Sequence, residues 1–195
     1  LLLQTYSWAE ERVVEAASGR VANSWGVIMD ADETVIDNST YQRERAAAGG
    51  AFTPETWGAW VRRREATALP GAVRFIERVR QLGGRVVIVT NRTQSECDDT
   101  RANFTALGIG VDLMLCRPPE TSDKNPRFAA VQNGTALAGV GPVEVVMWVG
   151  DNIQDFPALT QQLRDSPDGA FAAFGRRYIV MPNPMYGSWE RNPPR

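Results

Sequence analysis

The sequence contains no histidine and a single lysine. The first absence excludes every mechanism that needs a histidine nucleophile, base or metal ligand, and so removes the histidine phosphatases and the Ser-His-Asp hydrolases. The second singles out Lys124, since every other basic residue is an arginine. A compact, mobile ammonium does what a planar guanidinium cannot, so a lone lysine is either a chance survivor or a residue with a task. Only two cysteines are present, Cys97 and Cys116, and no paired Cys metal motif. Net charge is −2, with no dense basic stripe, which disfavours duplex nucleic acid as a partner. No run of about eighteen apolar residues exists, so no transmembrane segment is expected. The opening Leu1-Leu2-Leu3-Gln4 is too short for the apolar part of a signal peptide, and an export or anchor segment either was never there or preceded this chain.

What is present suits one packed unit. The chain has 195 residues, 43% of them hydrophobic, enough for an α/β core and a small insert. Five apolar runs of strand length stand out: Gly26 to Met29, Arg85 to Val89, Val111 to Cys116, Val143 to Val149 and Tyr178 to Met181. They are continuous rather than alternating, the pattern of strands buried on both faces of a parallel sheet. Helical spacing is expected over 8–24, from Trp8, Val13, Val14 and Ala17. It is also expected after Pro70-Gly71, with Val73, Ile76, Val79 and Leu82 on one face, and from a Ser95 cap to Leu107. This predicts a doubly wound, mainly parallel α/β sheet with a small helical cap. The core covers about 24–34 and 70–182. The cap covers about 35–69, helped by 1–23 and opened by Thr53-Pro54-Glu55, and an irregular tail covers 183–195.

In open α/β sheets, ligands bind beyond the carboxyl ends of the strands. Those ends read Asp30-Ala31-Asp32-Glu33-Thr34, Thr90-Asn91-Arg92 and Gly150-Asp151-Asn152-Ile153-Gln154-Asp155. Asp30, Asp32, Asp151 and Asp155 gathered on one rim repel one another unless a positive charge joins them or some stay protonated. With neither histidine nor a Cys motif, a hard cation with oxygen ligands, Mg²⁺, fits best. The plainer alternative is that Asp30 and Asp151 cap helices and the other acids are solvated loop residues; for Asp151 taken alone the two readings weigh about the same.

Three strand ends and one lysine carry a resemblance. Val27-Ile28-Met29-Asp30-Ala31-Asp32-Glu33-Thr34, Val87-Ile88-Val89-Thr90-Asn91-Arg92, Lys124, and Trp148-Val149-Gly150-Asp151 with Asp155 resemble the four motifs of the haloacid-dehalogenase-like phosphohydrolases. Asp37-Asn38-Ser39, Phe52-Thr53-Pro54-Glu55-Thr56-Trp57 and the segment Met181 to Glu190 narrow the resemblance to the class C bacterial acid phosphatases, including the lipoprotein e type. The resemblance implies Asp30 as the nucleophile that forms an aspartyl-phosphate and Asp32 as the acid and base. It implies Thr90 on the phosphoryl oxygens, with Asn91 beside it in the substrate site, and Lys124 offsetting charge. Mg²⁺ would be held by Asp30, the Asp32 carbonyl and Asp151, with Asp155 a ligand or the orienter of a metal-bound water. Trp57 and Tyr186 would clasp the base of a 5′-nucleotide; the plainer alternative is that Trp57 packs the cap and Tyr186 anchors the tail. An extracytoplasmic location, a lipid anchor in the precursor and a homodimer are further expectations of the family. A phosphotransferase on the same scaffold would share these motifs. A non-catalytic binding or storage relative typically lacks the nucleophile, which is present here. Cys97 and Cys116 should lie toward one rim of the sheet, either bridged or as two reduced thiols.

Overall fold

A computed structural model describes residues 1–193; the final two positions of the expected tail, 194–195, lie outside the described residues. In chain order the elements are α1 (Leu2–Ala17), β1 (Trp25–Met29), β2 (Ile36–Asp37), α2 (Ser39–Ala47), α3 (Pro54–Arg63) and β3 (Thr67–Ala68). They continue with α4 (Ala72–Gln81), β4 (Arg85–Thr93), α5 (Cys97–Ala106), β5 (Leu113–Arg117), α6 (Asn125–Asn133), β6 (Glu144–Gly150) and β7 (Tyr178–Val180). Short 3₁₀ turns fill much of 153–171 and recur at Ser188–Arg191.

Five strands form one parallel sheet in the order β5-β4-β1-β6-β7. β1 is central and buried throughout, as its unbroken apolar run requires. Its residues alternate between two cores. Val27 and Met29 join Val86, Ile88, Met147 and Val149 under α1, α4 and α5, with Tyr6, Val13, Phe75, Ile76 and Phe104. Ile28 joins Val87, Val89 and Trp148 on the other face, with Phe128, Val131 and Phe156. The chain runs outward from β1 through β4 to β5, then returns to β6 on the opposite side. The order therefore reverses between β1 and β6, which is where such sheets open a crevice.

Between β1 and α4 lies the insert. β2 and β3 form a separate two-stranded antiparallel ribbon, with Ile36 opposite Ala68. α2 and α3 rise from it. Thr53 caps α3 by accepting the Thr56 N–H, and Pro54 takes the first turn, as its fixed φ favours. Trp60 and Val61 are buried and Trp57 is half-buried against them.

Three local expectations are corrected. The first helix spans Leu2–Ala17 rather than 8–24, and the chain turns at Gly19 with φ +74°. Its buried face is Tyr6, Ala9 and Val13, which packs on α4, while Trp8 and Val14 are exposed. The third core strand begins at Leu113, two residues later than its apolar run, because Asp112 instead accepts the Val86 N–H at 2.7 Å. α5 is entered through a 3₁₀ turn at Gln94–Glu96, which Thr93 and Glu96 cap in place of Ser95.

Candidate active site

The four carboxylates come from two adjacent strand ends. Asp30 follows β1, and its N–H continues the ladder by donating to the Val149 carbonyl at 2.9 Å. A tight loop then folds back, with the Val35 and Ile36 N–H groups both donating to the Ala31 carbonyl. Asp151 and Asp155 follow β6, and the turn between them is closed by the Asn152 N–H donating to Asp155 Oδ2 at 2.8 Å. Gly150 is dictated by this packing, since a Cβ there would collide with the Asp155 carboxylate. Oxygens of Asp30, Asp151 and Asp155 can all lie within 4.8 Å of one another.

Lys124, at the start of α6, is buried and bridges two of these acids. Its Nζ donates to Asp30 Oδ1 at 2.5 Å and to Asp155 Oδ1 at 2.7 Å. Burial alone would lower the Lys124 pKa; the charges of Asp155 and Asp30 outweigh it and hold the ammonium firmly protonated. The lysine does not quench the cluster. Burial pushes the Asp30 carboxyl well above the usual carboxylate range, against the pull of Lys124 and with the help of Asp155, Asp151 and Asp32. Asp151 is pushed up to about 7, again by burial first and Asp155 second. Three carboxylates thus share one buried cation, Lys124, which leaves negative charge in the cluster uncompensated. Its donors are all oxygens, so the residues present fit a hard divalent cation.

Asp32 stands apart. Its carboxylate takes a salt bridge from the buried Arg92 and a hydrogen bond from Asn38 Nδ2 at 2.9 Å. Thr90 is fully buried at the end of the β4 core segment, and its Oγ1 accepts the Arg92 N–H at 3.1 Å. Asn91 is exposed, with Oδ1 accepting from Arg127 Nη2 at 2.6 Å. Trp57 meets Tyr41 edge-on at 5.2 Å, and Phe52 lies beside it. Its ring lies 5.3 Å beneath the Arg92 guanidinium, which ties it to the Asp32 side of the site. Tyr186 is half-buried in the tail three residues beyond Asn183, which donates to Asp151 Oδ2 at 2.8 Å.

The geometry adds residues that sequence reasoning did not assign. Arg92, Asn38, Asn183, Thr34 and Arg127 all hold the named groups from behind: Thr34 Oγ1 donates to Asp151 Oδ1 at 3.3 Å, and Arg127 spans the Thr90 carbonyl and Asn91. Arg92, Asn38 and Asn183 lie inside the family-like segments, but a type and a position do not reveal that an arginine is buried. Glu33 is also buried, with Oε1 accepting the Asn38 N–H at 2.8 Å and Oε2 without a partner among the described residues. Burial, with Asp32 beside it, pushes its carboxyl up to about 9.

The family model for HAD superfamily, subfamily IIIB (acid phosphatase) matches residues 2–189. The chain belongs to the HAD acid phosphatases of subfamily IIIB. It is therefore a phosphomonoester hydrolase acting on small-molecule phosphomonoesters. Solved structures of a class C acid phosphatase share the fold over nearly the whole chain. The class C acid phosphatase from Bacillus anthracis superposes with a TM-score of 0.80 at 28% identity, over 96% of this chain and 78% of that one. The same phosphatase with tungstate bound gives 0.82 at 28% identity, over 97% and 79%. HAD phosphatases typically use a divalent metal, and the carboxylate cluster is of that kind. No helix among the described residues is long and apolar enough to cross a membrane. Cys97 and Cys116, left open between thiols and a bridge, form a disulfide joining the first turn of α5 to β5.

Proposed function

We propose that this acid phosphatase is Mg²⁺-dependent, forms an aspartyl-phosphate on Asp30 and prefers 5′-nucleotides. The observation that carries the reading is the cluster of Asp30, Asp151 and Asp155 beside the buried Lys124, at the crevice between β1 and β6. In this reading 24–34 and 70–182 are the catalytic core, and 35–69 is a cap over its rim.

Asp30, Asp151 and the Asp32 carbonyl would hold Mg²⁺, which supplies charge that neutralises the transferring phosphoryl oxygens. Asp155 has both oxygens engaged, one by Lys124 and one by the Asn152 N–H, and we assign it the task of holding that lysine and turn. A phosphomonoester enters with its phosphoryl group between Asp30, Lys124 and Thr90. The Asp30 carboxylate attacks phosphorus, and Asp32 gives its proton to the departing alkoxide oxygen. Asp32, now a carboxylate, takes a proton from the water that attacks phosphorus, which frees phosphate and restores Asp30. Lys124 offsets charge on both the nucleophile and the transferring group throughout. The tungstate bound by the Bacillus anthracis phosphatase is a tetrahedral oxyanion of phosphate-like shape, which supports an anion seat in the shared fold.

Trp57 and Tyr186 supply the nucleotide preference, by stacking on the base. The support is the position of Trp57, half-buried and in ring contact with Arg92 at the Asp32 side of the site. The disulfide supports a location outside the reducing cytoplasm. Phosphate release from a 5′-nucleotide at mildly acidic pH, with Mg²⁺ and then with EDTA, tests the reading, with Asp30→Asn as control. We expect release with Mg²⁺, loss with EDTA, and none from a folded Asp30→Asn protein. Release that persists in EDTA or in the variant would overturn it.

A further inference from the structure

We propose that Arg92 is the positioning residue for Asp32: it fixes one carboxylate oxygen as an anchor and leaves the other for proton transfer. This rests on the reading of Asp32 as the acid and base. The two oxygens of Asp32 are not equivalent. Oδ1 accepts three hydrogen bonds, from Arg92 Nη2 at 2.8 Å, Asn38 Nδ2 at 2.9 Å and Arg92 Nε at 3.0 Å. Oδ2 has one longer contact, to Arg92 Nε at 3.2 Å. The Asp32 side chain is 17% exposed, so the group is held from behind yet open to the cleft.

A carboxyl group held in this way serves both halves of the reaction. With its proton on Oδ2 it still accepts at Oδ1 through the carbonyl lone pairs, so the anchor survives when the acid is protonated. Oδ2 then gives that proton to the leaving alkoxide and later takes one from the attacking water, while Oδ1 does not move. A rotation of the carboxylate would break three hydrogen bonds to buried donors, each charge-assisted or fixed by further partners.

The clamp is itself rigid, and it reaches into the insert. Arg92 is 2% exposed, and a buried guanidinium is tolerated only when its donors are satisfied. Its Nη1 donates to Thr100 Oγ1 on α5 at 3.2 Å, and its Nη2 also reaches Asn38 Oδ1 at 3.1 Å. Asn38 Oδ1 is in turn fixed by the indole N–H of Trp60 on α3 at 2.8 Å. The guanidinium face lies over Trp57 of the same helix. The aromatic residues of α3 thus bear on the acid, Trp57 through Arg92 and Trp60 through Asn38.

The test is leaving-group dependence of kcat/KM, which reports the first chemical step. 4-Nitrophenolate leaves without a proton; a simple alkoxide does not. Arg92→Lys keeps the charge but loses the planar fork. We expect it to lower kcat/KM for an alkyl phosphate about tenfold more than for 4-nitrophenyl phosphate, a fraction of what general acid catalysis supplies. Equal losses on both substrates, or no loss, would overturn the clamp. Should Arg92→Lys fail to fold, Thr100→Val, which removes only the hydroxyl behind Nη1, should show the same bias at about two- to threefold. Asp32→Asn run alongside separates the two claims. If it shows no bias, the acid reading itself fails; bias in Asp32→Asn without bias in the Arg92 or Thr100 variants overturns the clamp alone.

Discussion

At the scale of single residues, the site is an exercise in where charge can be tolerated. Lys124 is the only lysine in the chain, and it lies 4% exposed between two carboxylates. Both of its contacts are made by a point charge at short range, a position in which a guanidinium would displace Asp30 or Asp155. Lys124→Arg should therefore lower kcat by about 10² or more, as loss of a charge-stabilising donor does elsewhere. Steady-state assay of the folded variant checks this, and near-normal turnover would return the lysine to an accident of composition. Trp57 has two claims on it, packing against Tyr41 and stacking on a base. Trp57→Ala should raise KM for a 5′-nucleotide about tenfold relative to a small alkyl phosphate, from the ~1–3 kcal/mol of one base–aromatic stack. A KM ratio that does not change would leave Trp57 with packing alone.

At the scale of elements, the strand ends do the positioning. Asp30 and Asp151 are brought together because β1 and β6 are neighbours at the reversal of strand order, although 120 positions separate them in the chain. This much was legible in the sequence, since an apolar run ending in an acid identifies both strand and site. The exact entry to α5 and the limits of α1 were not, because Ser95 competes with another local cap and Trp8 with another residue for the core. Glu96 takes the Thr93 N–H, and Tyr6 rather than Trp8 finds the core. The network behind the site was illegible for another reason: Arg92, Asn38 and Asn183 act through burial and distance, which no spacing encodes. Gly150 ends β6 where a Cβ would run into the Asp155 side chain. Gly150→Ala should cost about 1–3 kcal/mol from overpacking, and it should also displace Asp155 and so lower turnover. Thermal melts and activity on one sample check both, and a variant with full stability and rate would show that the β6 turn gives way freely.

At the scale of the whole molecule, the balance of buried acid against cation sets the response to pH and metal. Asp151 is raised from 3.8 to about 7 and Glu33 from 4.5 to about 9, both chiefly by burial. A carboxyl whose folded pKa lies above its unfolded value contributes stability that is full below the unfolded value. That contribution is lost as pH rises through the folded one. The metal-free protein should therefore melt at lower temperature at pH 8 than at pH 5. Mg²⁺, which competes with protons for Asp30 and Asp151, should raise the melting temperature more at pH 8. Melts in EDTA and in Mg²⁺ at the two values read this directly, and an equal Mg²⁺ effect at both would mean that the cation binds elsewhere. Phosphoryl transfer through Asp30 is tested by acid quench of the enzyme during turnover, followed by mass analysis of its peptides. We expect a phosphoryl adduct on the peptide that contains Asp30, present in the wild-type chain and absent in Asp30→Asn; an adduct on another residue, or turnover in which wild-type protein is never phosphorylated, would rule Asp30 out as the nucleophile.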